Sequence, residues 1–280
     1  MTIPRGTTQS PKYQRLAADL RRRIAEGEFT AQAALPVESE LERQYGVARN
    51  TVRLAVDVLV NEGRLVRLQG KGTYLREHPV LDHRAYGPTP AAPAPRDCLA
   101  VPTAVYLGEA ADAGRELTVD FEMMIVRARG DIAERLGLRP GEAIVVRRQL
   151  RLLDREPYSI EESHYRAGLA AGTPLMEPDQ IDGGDEAVLA LLGRTEIGAV
   201  DHLVARMPGP EEAQWFQGGP GVPLMVQTRV TYDRRGPVRV IETRYSADRS
   251  RLVYSVGELA ARALLPAPAA PVDPARADAP

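Results

Sequence analysis

The stretch GVARNTVRLAVDVLVNEG, residues 46–63, decides the fold. Val52, Ala55, Val56, Leu59 and Val60 recur at i, i+3, i+4, i+7 and i+8, the period of an amphipathic helix, and Gly63 supplies its stop. Arg49, Asn50, Arg53 and Asp57 fall on the opposite side. Two arginines four residues apart at a helix start repel each other and oppose the positive pole of the macrodipole. They gain where an anion docks, because the dipole, the free N–H groups and the guanidinium forks then act together.

The flanks give that helix its setting. Upstream, LPVESELERQYG (35–46) reads as a short helix with an acidic first turn, and Tyr13, Leu16, Ala17, Leu20 and Ile24 mark one face of an earlier helix. Downstream, RLVRLQGKGTYL (64–75) reads as strand, Gly-Lys-Gly turn and strand. A short helix, a tight turn and a second helix led by Arg, Asn and Thr is the layout that inserts side chains into a DNA major groove. There an arginine forks onto guanine O6 and N7 and an asparagine onto adenine, each contact worth about tenfold or more in discrimination. Lys71 in the hairpin turn fits a wing that reaches a phosphate or the minor groove. The bland alternative is a solvated helix face and an ordinary hairpin.

Length and charge bound the rest. The 280 residues suffice for one large domain or two ordinary ones, and 44% hydrophobic with 26% charged residues describes a globular chain with a core. Residues 1–77 hold 13 Lys/Arg against 9 Asp/Glu, and the remainder 23 against 29. A basic head on an acidic body suggests that only the head meets an anion. No apolar run approaches a membrane span, MTIPRGTTQSPKYQ lacks an apolar signal core, and the single Cys98 cannot form an internal disulfide, so a cytoplasmic protein is expected. His78, His83, His164 and His202 lack ligand spacing, and neither a metal nor a cofactor is expected.

Composition divides the chain into a head over 1–77, a Pro-rich linker over 78–99, a body over 100–258 and a Pro/Ala tail over 259–280 expected to be disordered. In the body, strand-like runs such as AIVVRRQLRLL, VPLMVQTRVTYD and VRVIETRYS alternate with short helical pieces such as DIAERLGL and EAVLALLG. The pattern predicts an α+β domain on a mainly antiparallel sheet.

With these pieces in place, the run from Tyr13 to Leu75 resembles the winged helix-turn-helix head of GntR-type bacterial transcription regulators, above all in GVxRxTVRxA followed by EGxLxRxQGxGT. The resemblance implies that Arg49 and Arg53 contact DNA, that Thr51 binds a phosphate, and that Gln69, Gly70, Lys71, Gly72 and Thr73 form the wing tip. Three positions depart from the family pattern. Val37 stands where a phosphate-binding Ser is usual, Ser39 where an Arg contacts DNA, and Ala48 where a Ser or Thr caps the helix. A lost cap costs about 1 kcal/mol.

The body resembles the UTRA ligand-sensing domain of the HutC-type branch, a chorismate-lyase-like α+β fold. The likeness rests on IAERLGLRPGEAIVVRRQLRLLDREPYSIEESHY (132–165), DGGDEAVLALLGRTEIGAVDHLVARMPGPEEAQWF (182–216) and GVPLMVQTRVTYDRRGPVRVIETRYSADRSRL (221–252). It implies a cleft for a small, often anionic metabolite, with Arg151 as anion clamp, Glu161 accepting hydroxyl hydrogen bonds and Tyr245 closing one side. Gln149 replaces one arginine of the family's Arg-x-Arg pair, and Arg239 replaces a frequent acid, which points to a differently shaped anion or a larger polar metabolite. Arg151 and Glu161 equally suit a plain cross-strand pair, and Arg249 suits a structural ion pair.

The expected function is a metabolite-responsive, homodimeric, non-enzymatic repressor on a palindromic operator, since one short helix offers too little base contact for operator specificity. Two other classes are a constitutive DNA-binding adaptor and a chorismate-lyase-like enzyme with a DNA-binding head. A head fused to a pyridoxal-phosphate enzyme is excluded, because no lysine follows Lys71.

Overall fold

In the computed structural model, residues 10–30, 33–68, 70–76, 80–86, 103–217 and 221–254 are described below. The head is built from α1 (Lys12–Ala25), α2 (Glu38–Tyr45), α3 (Arg49–Asn61) and the antiparallel hairpin β1 (Leu65–Leu68) and β2 (Gly72–Leu75). The periodic residues bury as their spacing requires: Leu16 and Leu20 of α1, Leu41 of α2, and Val52, Ala55 and Leu59 of α3 meet in one core. Each fully buried Leu or Val there contributes about 1.5–3 kcal/mol relative to exposure. The turn between α2 and α3 starts at Gly46, whose φ of 61° is left-handed and whose N–H closes onto the Glu42 carbonyl at 2.9 Å. That reversal sets α3 across α2.

The body is one six-stranded sheet in the order β4-β5-β6-β9-β8-β7, with antiparallel pairing throughout. Its strands are β4 (Leu117–Arg127), β5 (Ala143–Leu153), β6 (Glu156–Arg166), β7 (Gly198–Arg206), β8 (Leu224–Asp233) and β9 (Gly236–Ser246). The α+β, mainly antiparallel expectation agrees with this. Alternation sorts the two faces. Ile144, Val146, Val230 and Val240 pack under α5 (Gly130–Leu136), whose Ile132, Ala133 and Leu136 are buried against them. The other face carries the polar rows described below and is covered by α4 (Thr103–Asp112) and α7 (Gly184–Leu191). A four-residue α6 (Ala167–Ala170), a 3-10 turn (Pro174–Met176) and α8 (Pro210–Phe216) complete the helices among the described residues.

The linker expectation over 78–99 needs correction at its start. Residues Leu81–Tyr86 form β3, which pairs in parallel with β10 (Ser250–Tyr254). Leu81 and His83 alternate inward and are buried at 4% and 0% exposure, so this segment belongs to the body's core. Two consecutive inward positions are too short a signal beside the prolines that follow. Residues 78, 79 and 87–99 of that linker, the tail over 259–280, Cys98 and Gln69 lie outside the described residues.

Head and body touch. Arg76, just past β2, is buried against the body, its guanidinium 3.4 Å from Asp248 and donating to the Gln217 carbonyl at 3.2 Å. Beside it, Val222 packs against Gly63 at the end of α3.

Candidate functional site

Two places collect chemistry, one in each unit. In the head it is the outer edge of α3. Ala48 has the extended N-cap geometry, φ −68° and ψ 150°, but offers no side-chain acceptor. Arg49 follows, three-quarters exposed, with its Nε 2.9 Å from Glu38 Oε2 of α2. Asn50 and Arg53 are exposed and Thr51 is half-buried. Farther along the same side, Asp57 is engaged by Arg67 of β1, which ties the hairpin to α3. On α2, Ser39 is exposed, and Glu40 accepts the Val37 N–H at 3.2 Å, while Val37 itself offers no side-chain acceptor to the first turn. At the hairpin tip Gly70, Lys71 and Gly72 are exposed, and the Lys71 N–H closes onto the Leu68 carbonyl at 3.0 Å. Thr73 is half-buried, its carbonyl accepting from Leu35 N–H at 2.7 Å. The head thus presents an arginine-rich helix start and a lysine-tipped hairpin, both clear of its core.

The second place is a cavity of about 270 Å³ in the body. Its floor is a register row running across five strands: Phe121, Gln149, Glu161, Thr243 and Gln227 are direct neighbours from β4 to β8. One row along lie Arg147 and Arg229, and beyond them Arg239. Tyr245 bounds the opposite side, Tyr106 and Thr103 of α4 cover it, and residues 180–184 with the first turn of α7 form the rim.

The electrostatics of this cavity are internally compensated. Arg147 donates to Asp185 at 3.1 Å and to three backbone carbonyls of the 174–179 segment, so it pins the rim. Arg229 forks onto Asp201 at 2.6 and 2.7 Å. Arg239 donates to Glu196 at 2.8 Å, to the Tyr165 hydroxyl at 3.1 Å and to Glu186. Burial pushes the Asp185 carboxyl up, against the pull of Arg239 and Arg147. Burial also opposes the charged form of Glu186, but there Arg239 outweighs it and holds the carboxyl below its ordinary range. The Tyr245 phenol is pushed well up by burial and hydrogen-bonds to Tyr106 at 2.8 Å.

Of the body residues singled out from sequence, Gln149, Glu161, Tyr245 and Arg239 line the cavity together. Arg151 does not. It is fully buried behind the wall, its guanidinium 3.9 Å from the centre of the Tyr106 ring, donating to Gln149 at 2.8 Å and to Glu161 at 3.0 Å. The reason is Tyr106: α4 lays its ring between Arg151 and the cavity, and the cross-strand pair with Glu161 is formed. Arg249 makes the structural contacts its sequence suggested, to the Pro157 carbonyl at 2.9 Å and near Asp248 and Glu156. Arg147, Arg229, Gln227, Thr243 and Tyr106 were missed. The first four carried no clean alternation, since Arg148, Thr228, Glu242 and Arg244 are polar neighbours on the opposite face of the same strands, and Tyr106 had no signal, lying past the prolines.

Comparison with known proteins covers both units. The gntR family of bacterial regulatory proteins matches residues 12–75, and the UTRA domain matches residues 114–251. An uncharacterized HTH-type transcriptional regulator of Rhizobium meliloti is 29% identical over 245 residues, 86% of this chain and 93% of that protein. The mannosyl-D-glycerate transport/metabolism system repressor of Escherichia coli is 44% identical over 70 residues, 25% of this chain and 29% of that protein. Among solved structures, one GntR-family transcriptional regulator aligns with TM-score 0.60 and 26% identity over 90% of this chain and 99% of its own. PhnF from Mycobacterium smegmatis aligns with TM-score 0.50 and 20% identity over 86% and 98%, a likeness of fold alone.

Proposed function

This chain belongs to the GntR family of bacterial transcriptional regulators, with a winged helix-turn-helix head and a UTRA body, and from that premise we propose that it is a homodimeric repressor released from a palindromic operator by a small metabolite. The observation that carries the reading is the exposed Arg49–Arg53 edge of α3 standing beside the Lys71 hairpin, in the same chain as a polar cavity of metabolite size. Arg49, Asn50 and Arg53 read bases, while Thr51, Ser39 and the wing from Gln69 to Thr73 hold backbone phosphates and set the register. Gln149, Glu161, Tyr245 and Arg239 contact the effector, with Arg151 fixing Gln149 and Glu161 from behind. The protein acts in the cytoplasm and has no catalytic role.

A dimer follows from specificity, since a single recognition helix covers too few base pairs to select one operator. Footprinting of the full-length protein on the DNA upstream of its own gene tests the proposal. We expect protection of two half-sites about one helical turn apart. Arg49→Ala should weaken specific retardation by about tenfold or more and leave the thermal midpoint unchanged, because that side chain is solvent-exposed. Retention of sequence-specific binding by the variant would overturn the assignment.

A further inference from the structure

The charge balance of the cavity says what class of effector it takes. Resting on the effector-binding reading above, we infer that the ligand is a hydroxyl-rich molecule of about monosaccharide size, neutral or bearing an amine, and without a phosphate or carboxylate.

Three observations carry this. First, each arginine of the wall is already matched by a carboxylate: Arg147 by Asp185, Arg229 by Asp201, and Arg239 by Glu196 and Glu186. Arg151 behind the wall is matched in charge by Glu161 through its Nη2, while its Nε and Nη1 face the Tyr106 side without a hydrogen-bond partner. An anionic ligand would have to displace one of these internal carboxylates, leaving it buried without a partner. Second, the carboxylates are in excess. Inside the rim, where Asp182 is exposed, Glu161, Asp185 and Glu186 line the cavity against Arg147, Arg229 and Arg239, and the partners behind the wall add Glu196 and Asp201 against Arg151. With a proton on Asp185 these groups balance, and without it they leave one negative charge in surplus, so a further anion finds no spare positive charge, and the exposed Asp182 at the rim suits an ammonium group.

Third, the floor suits hydroxyls. The row Phe121, Gln149, Glu161, Thr243 and Gln227 puts one aromatic ring, two amides, one carboxylate and one hydroxyl in a line, with neighbours about 4.8 Å apart. Amides and hydroxyls both donate and accept, as ring hydroxyls do, and the half-buried Phe121 offers a face to the C–H side of a ring. The cavity of about 270 Å³ stands at the small end of ligand pockets, with room for a single sugar ring.

The test is thermal unfolding of the full-length protein with matched pairs: glucose and glucose 6-phosphate, mannose and mannose 6-phosphate, galactose and galacturonate, glucosamine and glucosamine 6-phosphate, with myo-inositol and xylitol as open members. We expect saturable stabilisation by at least one neutral or amino compound, binding at least about tenfold weaker for its phosphorylated or carboxylated counterpart, and loss of the response in Gln227→Leu. A charged member that binds more tightly than its parent overturns the inference, and so does a panel in which no neutral or amino member binds. Retardation of the promoter fragment by the same preparation separates the two conclusions. Intact DNA binding with a failed panel removes only the ligand class, whereas a responsive cavity without DNA binding removes the regulator.

Discussion

Arg239 shows how a buried charge is held in this protein. It is 2% exposed and faces Glu196, Glu186 and the Tyr165–Asp185 pair at once. Replacing it with Met removes the cation and leaves two carboxylates of the cluster without their guanidinium. Breaking a buried pair in this way costs about 3–5 kcal/mol. We expect Arg239→Met to be destabilised by that order in urea unfolding at pH 7. The deficit should shrink on acidification, because stranded carboxylates take up protons in the folded state. An equal deficit at pH 5 and pH 7 would mean that packing, not charge, sets the loss. At this scale the sequence was informative where function needs exposure and silent where it needs burial. Arg49 and Arg53 could be placed outside because the apolar stripe of α3 left them no other side. Arg239 could be named as a departure from the family pattern, but its three acidic partners come from α7, from the segment before β7 and from no fixed spacing. Arg151 failed for the same reason: the ring that seals it comes from α4, about forty-five residues upstream.

The elements differ in how much of their stability is local. Helix α3 begins on Ala48, which has cap geometry, an exposed side chain and no acceptor. Ala48→Ser should supply a hydroxyl to the free N–H groups of the first turn and stabilise the head by about 1 kcal/mol. For a unit of the head's size that is roughly 4–8 °C in its melting, and an unchanged midpoint would show that the cap geometry is not kept in solution. Strand β7 poses the opposite problem. It is the last strand of the sheet, and Val200, Leu203 and Val204 on it are 47–58% exposed, beside Met207 at 56% and Ile197 at 60%. An open apolar edge strand invites pairing with another strand, and in the proposed dimer it is where a second copy would sit. Leu203→Glu should therefore shift the sedimentation coefficient from dimer to monomer at micromolar concentration and weaken operator binding with it; a dimer that persists would place the interface elsewhere. The strands β5, β8 and β9 were readable as strands from their β-branched runs, but not their faces, because Arg148, Glu162, Glu242 and Arg244 put an ion-paired cluster on the side away from the cavity. The parity of β3 was not readable either, with only Leu81 and His83 to show it.

At the scale of the whole molecule, the segment between head and cavity is also where pH should act. His83 is fully buried, stacked on Tyr106 at 4.0 Å and hydrogen-bonded to Glu109 at 2.7 Å; His164 is buried beside the Val240 carbonyl. Burial pushes both below the ordinary histidine value of 6.5, more than Glu109 raises His83 or Glu162 raises His164. Both are neutral in the fold at pH 7. Below about pH 6.5 the unfolded chain binds protons that the folded chain refuses, so stability is full above that pH and is lost as pH falls toward the depressed folded values. Each such histidine gives a slope of up to about 1.4 kcal/mol per pH unit. Urea unfolding should therefore weaken between pH 7 and pH 5.5 by about 1–3 kcal/mol in total, and His83→Gln should flatten the slope whatever it does to absolute stability. His83 sits on β3, whose Leu81 N–H bonds to the Arg249 carbonyl at 3.0 Å, next to the Asp248 that meets Arg76 of the head. Its ring also backs the Tyr106 that covers the cavity. Protonation should then open the β3–β10 pair before the main sheet, seen as faster hydrogen exchange at Leu81 than at Val240 on lowering the pH. Uniform exchange across both sheets would show that the strap between the two sites has no stability of its own.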